Sequence, residues 1–536
     1  MKKILQHIRR DTSQWSIFLL AIVLLMLVPI ATIFINLFYG PGETWGHLVD
    51  KLLPNYITNS LWLILGTSIL TLSFGISSAW IISRYHFPFK KLIAWMLILP
   101  LAIPSYITAY AYAGIFDYDG FVVKYLGTKV DVMTPIGLIF VLSISLYPYV
   151  YVASRAFFVN QSVNIIEASK MLGASNRKTF FKLILPLARP AFIGGLVLVL
   201  MEVLNDYGAA KYYGINTFTT GIFRAWFSLE EPETAIYLSA LLVTIIFVLI
   251  TLEKKQRSKK GYFNATKNHK KTSLTKVTKR KQTLLFVIVF IPVLLGFLLP
   301  VLQLLYWALL TYKEVFTNEF ITIALQSLGL ALVSATITVI VALALLFLSK
   351  WNKLKFVNSL SKLSIVGYAI PGAVIAVGIL IPTLFVDKWL VGIFKNWFAI
   401  KIGFILNGTI IALVYAYAIR YLAVAHNPIE ASSLKLSKSL SEASKILGKT
   451  NWQTFKKIEF PLLKPAIASA FILVFVDVMK ELPLTLILKP YQINTLAVKA
   501  YEYASDELIA EAALPSLCIV LTGVLPILFL NKLIKN

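Results

Sequence analysis

The chain has 536 residues, of which 58% are hydrophobic and only 14% charged, and its mean hydropathy is +0.77; a water-soluble globule of this size could not be covered with so little polar surface. The net charge of +26 does not imply a nucleic-acid partner, because the lysines and arginines fall mostly in short segments between apolar runs, where they set membrane orientation. A single cysteine, Cys518, and five scattered histidines exclude a disulfide framework and a thiolate cluster and give no spacing for a histidine metal cage.

Runs long enough to cross about 30 Å of hydrocarbon number about six in each half of the chain. The first half offers 15–39, 57–83, 91–115, 135–158, 188–206 and 235–252. The second offers 283–312, 320–349, 360–386, 403–425, 463–480 and 511–531. The expected fold is therefore an all-α polytopic membrane protein of about twelve spans, in two homologous six-helix halves, 1–252 and 283–536, joined by a linker at 253–282. The first run is too long, and lacks a small-residue cleavage site, to be a signal peptide.

Basic residues alternate from side to side. Lys2, Lys3, Arg9 and Arg10 precede the first span, and Arg84, Lys90 and Lys91 follow the second, so both termini are expected in the cytoplasm. From Glu253 to Lys281 a dozen Lys and Arg accompany one acidic residue, which suits a cytoplasmic tether or a segment docked on anionic lipid. In the third spans, Ala102-Ile103-Pro104 matches Ala369-Ile370-Pro371. Proline inside a helix removes a backbone hydrogen bond and kinks it, so Pro104 and Pro371 are expected to bend helices, beside a pathway or for packing alone.

The duplication is plainest between spans four and five. Residues 167–192, EASKMLGASNRKTFFKLILPLARPAF, recur at 442–467 as EASKILGKTNWQTFKKIEFPLLKPAI, with about half the positions identical. Each copy lies in a basic segment, near 163–190 and 438–465. Ile166 to Leu172 alternates apolar and polar positions and ends at Gly173, which reads as a short amphipathic helix stopped by a residue that tolerates positive φ. A second short helix can follow before Pro186. Such a knob suits docking by a partner in the aqueous phase; a helix resting on headgroups is the alternative. Gly448-Lys449-Thr450 imitates the end of a P-loop, but the required earlier glycine is Ala443 and no strand precedes it. No hydrolase constellation is present, so the chain is expected to be a transport subunit and not an enzyme, with energy supplied by a separate ATPase.

Four acids interrupt the fifth spans: Glu202 and Asp206 in the first half, Asp477 and Glu481 in the second. Spacing of four puts each pair on one helix face. Intramembrane carboxylates normally face a bundle interior or a watery cavity, and oxygen ligands suit hard cations. The competing reading pairs these acids with Lys480 or Lys211.

The duplicated segments resemble the cytoplasmic signature of bacterial ABC importer permeases, in which Glu-Ala-Ala precedes a Gly and then Ile-x-Leu-Pro. The first copy has Glu167-Ala168-Ser169, Gly173 and Leu183-Ile184-Leu185-Pro186; the second has Glu442-Ala443-Ser444, Gly448 and Ile458-Glu459-Phe460-Pro461. Ser at the third position, Leu183 for Ile and Phe460 for Leu are conservative departures. Leu99 to Tyr106, Leu204 to Gly208 with Phe218 to Arg224, Met479 to Pro483, Tyr501 to Glu507 and Ala512 to Pro515 resemble the ferric-iron permeases, in which both halves are fused, and this likeness covers nearly the whole chain. The resemblance implies a type I ABC permease of the bacterial inner membrane, fed by an extracytoplasmic ferric-iron-binding protein and driven by two copies of an ATPase subunit that bind ATP and Mg. It implies no cofactor held by this chain, with ferric iron as cargo. Thiamine permeases are the nearest alternative, then sulfate or polyamine importers, with an ion-coupled secondary transporter as the competing class.

Overall fold

In a computed structural model of the chain, the residues described are 14–159, 169, 171–258, 275–352, 354–398, 400 and 402–535. Regular structure among them is helical, apart from one isolated bridge between Tyr85 and Thr275. Among the described residues ten helices are long and apolar enough to cross a membrane, and the bent pair Lys90–Ala102 and Ser105–Leu126 makes an eleventh if it counts as one span. Ala513–Lys535 stands where the twelfth is expected, its described apolar stretch being Ala513–Leu525.

Three expectations need correction. Pro104 and Pro371 do not kink continuous helices; they sit where helices break. Ile103 and Ile370 are extended, and new helices start at Ser105 and Gly372. The two parts of the first-half span meet at 95°, and its second-half counterpart is split into Lys355–Ser364, a 3₁₀ turn and Gly372–Phe398, so the expected 360–386 is not one helix. Proline removes an N–H and forces its predecessor out of the helical region, which together break the helix instead of bending it.

The second correction lies at the fifth spans, which begin well before 188 and 463, at Asn176 and Asn451. The second short helix of each duplicated segment is thus the first turn of the span itself. Both spans widen by one π turn, Phe180–Ile184 and Phe455–Glu459, immediately before the paired prolines. There Leu185 N–H donates to Phe180 O and Phe460 N–H to Phe455 O, which lets the helix enter a proline-bearing segment without ending. Thirdly, these spans stop at Asn205 and Met479, short of the second acid of each pair.

Each half is built on its second, fourth and fifth spans, which pack on one another. Thr67, Thr71, Gly75 and Ser78 form the buried stripe of Leu53–Arg84, and Ser327, Ala331, Ser334 and Thr338 that of Asn318–Trp351. Small residues at helical spacing let backbones approach closely where no hydrophobic force separates protein from lipid.

The first spans cross over. Gln14–Asn36 packs on the second and third spans of the other half. Trp15 meets Trp351 edge to face at 5.1 Å, Ser16 Oγ donates to Asn352 Oδ1 at 2.6 Å, and Tyr415 Oη donates to Leu25 O at 2.5 Å. A Cβ at Gly378 would lie 2.5 Å from Pro29 O, so only glycine permits this approach. In return, Lys279–Val315 leans on the first half, where Tyr112 Oη donates to Leu295 O at 2.7 Å.

Candidate functional site

The fifth spans end at Asn205 and Met479, and the acids at and just past these ends converge between the halves. Glu202, Asp206, Asp477 and Glu481 all line one cavity of about 100 Å³. Pro104 lines it as well, whereas Pro371 does not. Glu202 and Asp477 are helical; Asp206 and Glu481 lie past the helix ends, each one residue before the N-cap of a short helix, Gly208–Tyr212 and Pro483–Leu488. Asp206 Oδ1 accepts from Ala210 N–H at 3.0 Å and Glu481 Oε1 from Leu484 N–H at 3.1 Å.

The halves treat these acids differently. Arg420 Nε donates to Glu481 Oε2 at 3.2 Å, with the two side chains only 5% and 6% exposed, and Tyr421 Oη donates to the same oxygen at 2.5 Å. Arg420 Nη1 also donates to Ile370 O at 2.7 Å, satisfying a carbonyl freed by the helix break. Lys480 Nζ lies 2.8 Å from Asp477 Oδ1. In the first half, Glu202 accepts from Tyr368 Oη at 3.2 Å and Asp206 from Ser105 Oγ at 2.5 Å. The expected pairing with Lys480 therefore holds for Asp477, while Lys211 lines a separate cavity with Arg224. Tyr207 lines both cavities, stacked on Phe223 at 3.6 Å, with its hydroxyl 3.3 Å from that of Tyr501. Among the described residues no cluster of three or more His, Cys, Asp or Glu forms a metal cage.

Sequence reasoning passed over Arg420, Tyr421, Tyr368 and Ser105. Arg420 left a signal: it is the sole charged residue of the run 403–425, and an intramembrane arginine marks a functional or structural partner.

None of the described residues of the duplicated loops lines this cavity. Glu167 and Ala168 fall outside the described residues. In the second copy Ser437 caps Lys438–Ile446, which carries Glu442, Ala443 and Ser444, and Thr450 forms a capping box with Gln453. Gly173 and Gly448 have the same φ of +76°. Ser169 Oγ lies 3.0 Å from Thr179 Oγ1, and Ser444 Oγ 3.0 Å from Thr454 Oγ1. Pro186 and Pro461 occupy the first turn after each π segment. Just before each glycine stands an exposed apolar pair, Met171 and Leu172 at 89% and 87%, Ile446 and Leu447 at 85% and 77%. Each copy is thus a knob that presents an exposed apolar pair beside the same Ser–Thr contact.

A sequence profile described as the binding-protein-dependent transport system inner membrane component matches residues 71–252 and 351–536. The chain belongs to that family. Both matched segments exclude the crossing first spans and include one knob and one pair of acids each. The chain is 27% identical over 488 residues to the Fe(3+)-transport system permease protein FbpB 2 of Haemophilus influenzae, covering 89% of each chain. It is 25% identical to the sulfate transport system permease protein CysT of Escherichia coli, over 44% of this chain and 89% of that one. To the molybdenum transport system permease protein ModB of H. influenzae it is 28% identical, over 39% and 96% respectively. The protein is thus a multi-span permease of an ABC importer, a transport component and not an enzyme, working with an ATPase and an extracytoplasmic binding protein.

Proposed function

We propose that this permease moves ferric iron from its binding protein into the cytoplasm by alternating access at the cavity between the halves. The charge of that cavity carries the reading. Four carboxylates face Arg420 and Lys480 alone, so two negative charges are left over, and the helix ends at Asn205 and Met479 add the negative poles of two helix dipoles. This surrounding attracts a hard cation and repels sulfate or an oxyanion of molybdenum. Full-length likeness to an iron permease, against half-length likeness to the sulfate and molybdenum permeases, supports the same choice.

In this reading two ATPase copies seat on the loops carrying Glu167, Ala168, Ser169 and Gly173 and Glu442, Ala443, Ser444 and Gly448, and both termini are cytoplasmic. The permease, expressed with its ATPase and binding protein in cells lacking other iron importers, is expected to restore uptake of radiolabelled iron(III) and not of sulfate. Sulfate uptake without iron uptake would overturn the assignment.

The orientation is checked separately by single cysteines in a Cys518-free background. Position 267, in the basic segment, is expected to resist an impermeant thiol reagent in intact cells, whereas positions 118 and 230 react. Labelling of position 267 from outside would require the opposite topology.

A further inference from the structure

The offset that aligns Gly173 with Gly448 also aligns Glu202 with Asp477 and Asp206 with Glu481. It places Asn205 opposite Lys480 and Ser145 opposite Arg420. The two halves therefore carry the same pair of carboxylates, but only the second carries cations at the positions that neutralise them. Ser145 Oγ is buried, lines the cavity and has no hydrogen-bond partner, and Asn205 spends its carbonyl on Gly372 N–H at 2.8 Å.

We infer that the second half is a self-neutralised copy of the cation site and that cargo is held by the first half alone, on Glu202 and Asp206 with the Ser145 hydroxyl turned toward it. The inference rests on the cation reading above and deepens it. A carboxylate at membrane depth needs a positive partner. Asp477 and Glu481 have theirs permanently, in Lys480 and Arg420, with both Arg420 and Glu481 additionally tied to backbone groups. Glu202 and Asp206 receive only neutral donors, Tyr368, Ser105 and the Ala210 amide. Arg420 and Lys480 act on Glu202 from across the cavity, but no cation is bonded to either acid, so their oxygens stay open to an incoming hard cation, and carboxylate, hydroxyl and phenol oxygens are the ligands such an ion accepts. The built-in cations have a second effect: facing the same cavity, they lower its total charge, so that a trivalent ion is attracted without being trapped.

The test uses the purified permease–ATPase complex and gallium(III), supplied as its citrate chelate, as a redox-inert trivalent probe, read as the rise in thermal midpoint on binding. Iron uptake and membrane abundance are measured in parallel. Glu202→Gln with Asp206→Asn is expected to leave the midpoint without gallium unchanged, abolish the gallium shift and lower uptake about tenfold or more. Asp477→Asn with Lys480→Asn, which removes an acid together with its own cation, is expected to keep the gallium shift. A gallium shift and uptake retained in the first double variant, or a shift lost in the second at a normal midpoint, overturns the division of labour. If the first double variant fails to assemble, Asn205→Lys alone decides: it gives Glu202 and Asp206 a resident cation, so a wild-type gallium shift in an assembled Asn205→Lys complex overturns the proposal. No gallium shift and no iron uptake in the wild type would refute the ferric reading itself, an outcome distinct from these.

Discussion

Arg420→Met is expected to empty the membrane of folded permease. The substitution keeps the bulk of the side chain but leaves Glu481 as an unpaired charge at 6% exposure and Ile370 O without its donor. Breaking a buried pair by removing one partner costs about 3–5 kcal/mol, which is a large part of the margin of most folded proteins. Removing both charges, Arg420→Met with Glu481→Gln, is expected to recover most of the abundance, because a glutamine can still accept from Tyr421 and Leu484. Abundance by immunoblot and the thermal midpoint of the purified protein are the readouts. A single variant as abundant and as stable as wild type would mean that Arg420 does not hold the cavity wall together.

The second large effect is expected at the docking knobs. Gly173 and Gly448 stand at φ +76°, and among the described residues no atom beyond the chain neighbours lies within 4 Å of a Cβ added at either, so a substitution there is opposed by backbone conformation. Valine at both positions costs about 1–3 kcal/mol per site in the left-handed region, more than a solvent-exposed two-turn motif can absorb. The turns then refold and the pairs Met171–Leu172 and Ile446–Leu447 lose their presentation. The double variant is expected to reach the membrane normally, yet to lose co-purifying ATPase and uptake. Asparagine, which visits the left-handed region at lower cost, is expected to retain most of both. Full ATPase co-purification with the double valine variant would remove these loops from the docking interface.

Much of the membrane fold was legible in the sequence because apolar length and duplication are local signals. The positive φ of Gly173 and Gly448 could be read because each glycine closes an amphipathic stretch close to it in sequence, although the helix expected at Ile166 to Leu172 lies largely outside the described residues. The broken third spans were misplaced because a proline in an apolar run looks the same whether it bends a helix or ends one. The distinction lies in Arg420 and Asn205, which satisfy backbone groups around the second-half break from other helices. The asymmetry of the acids was half visible. Lys480 adjoins Glu481 in sequence, but Arg420 reaches Glu481 from another span, and no spacing rule connects residues that distant.

The crossing of the first helices bears on how the protein is made. Gln14–Asn36 leaves the ribosome first, yet the surfaces it needs, around Trp351, Gly378 and Tyr415, are synthesised only after the whole first half has been inserted. Within the first half it meets Pro232–Ser258, so it waits in the bilayer only partly docked until the second half is complete. Cut at the basic segment, the chain should yield two polypeptides that are each incomplete but complementary. Joining them supplies a high effective concentration at the moment of docking, so fusion serves assembly as well as transport.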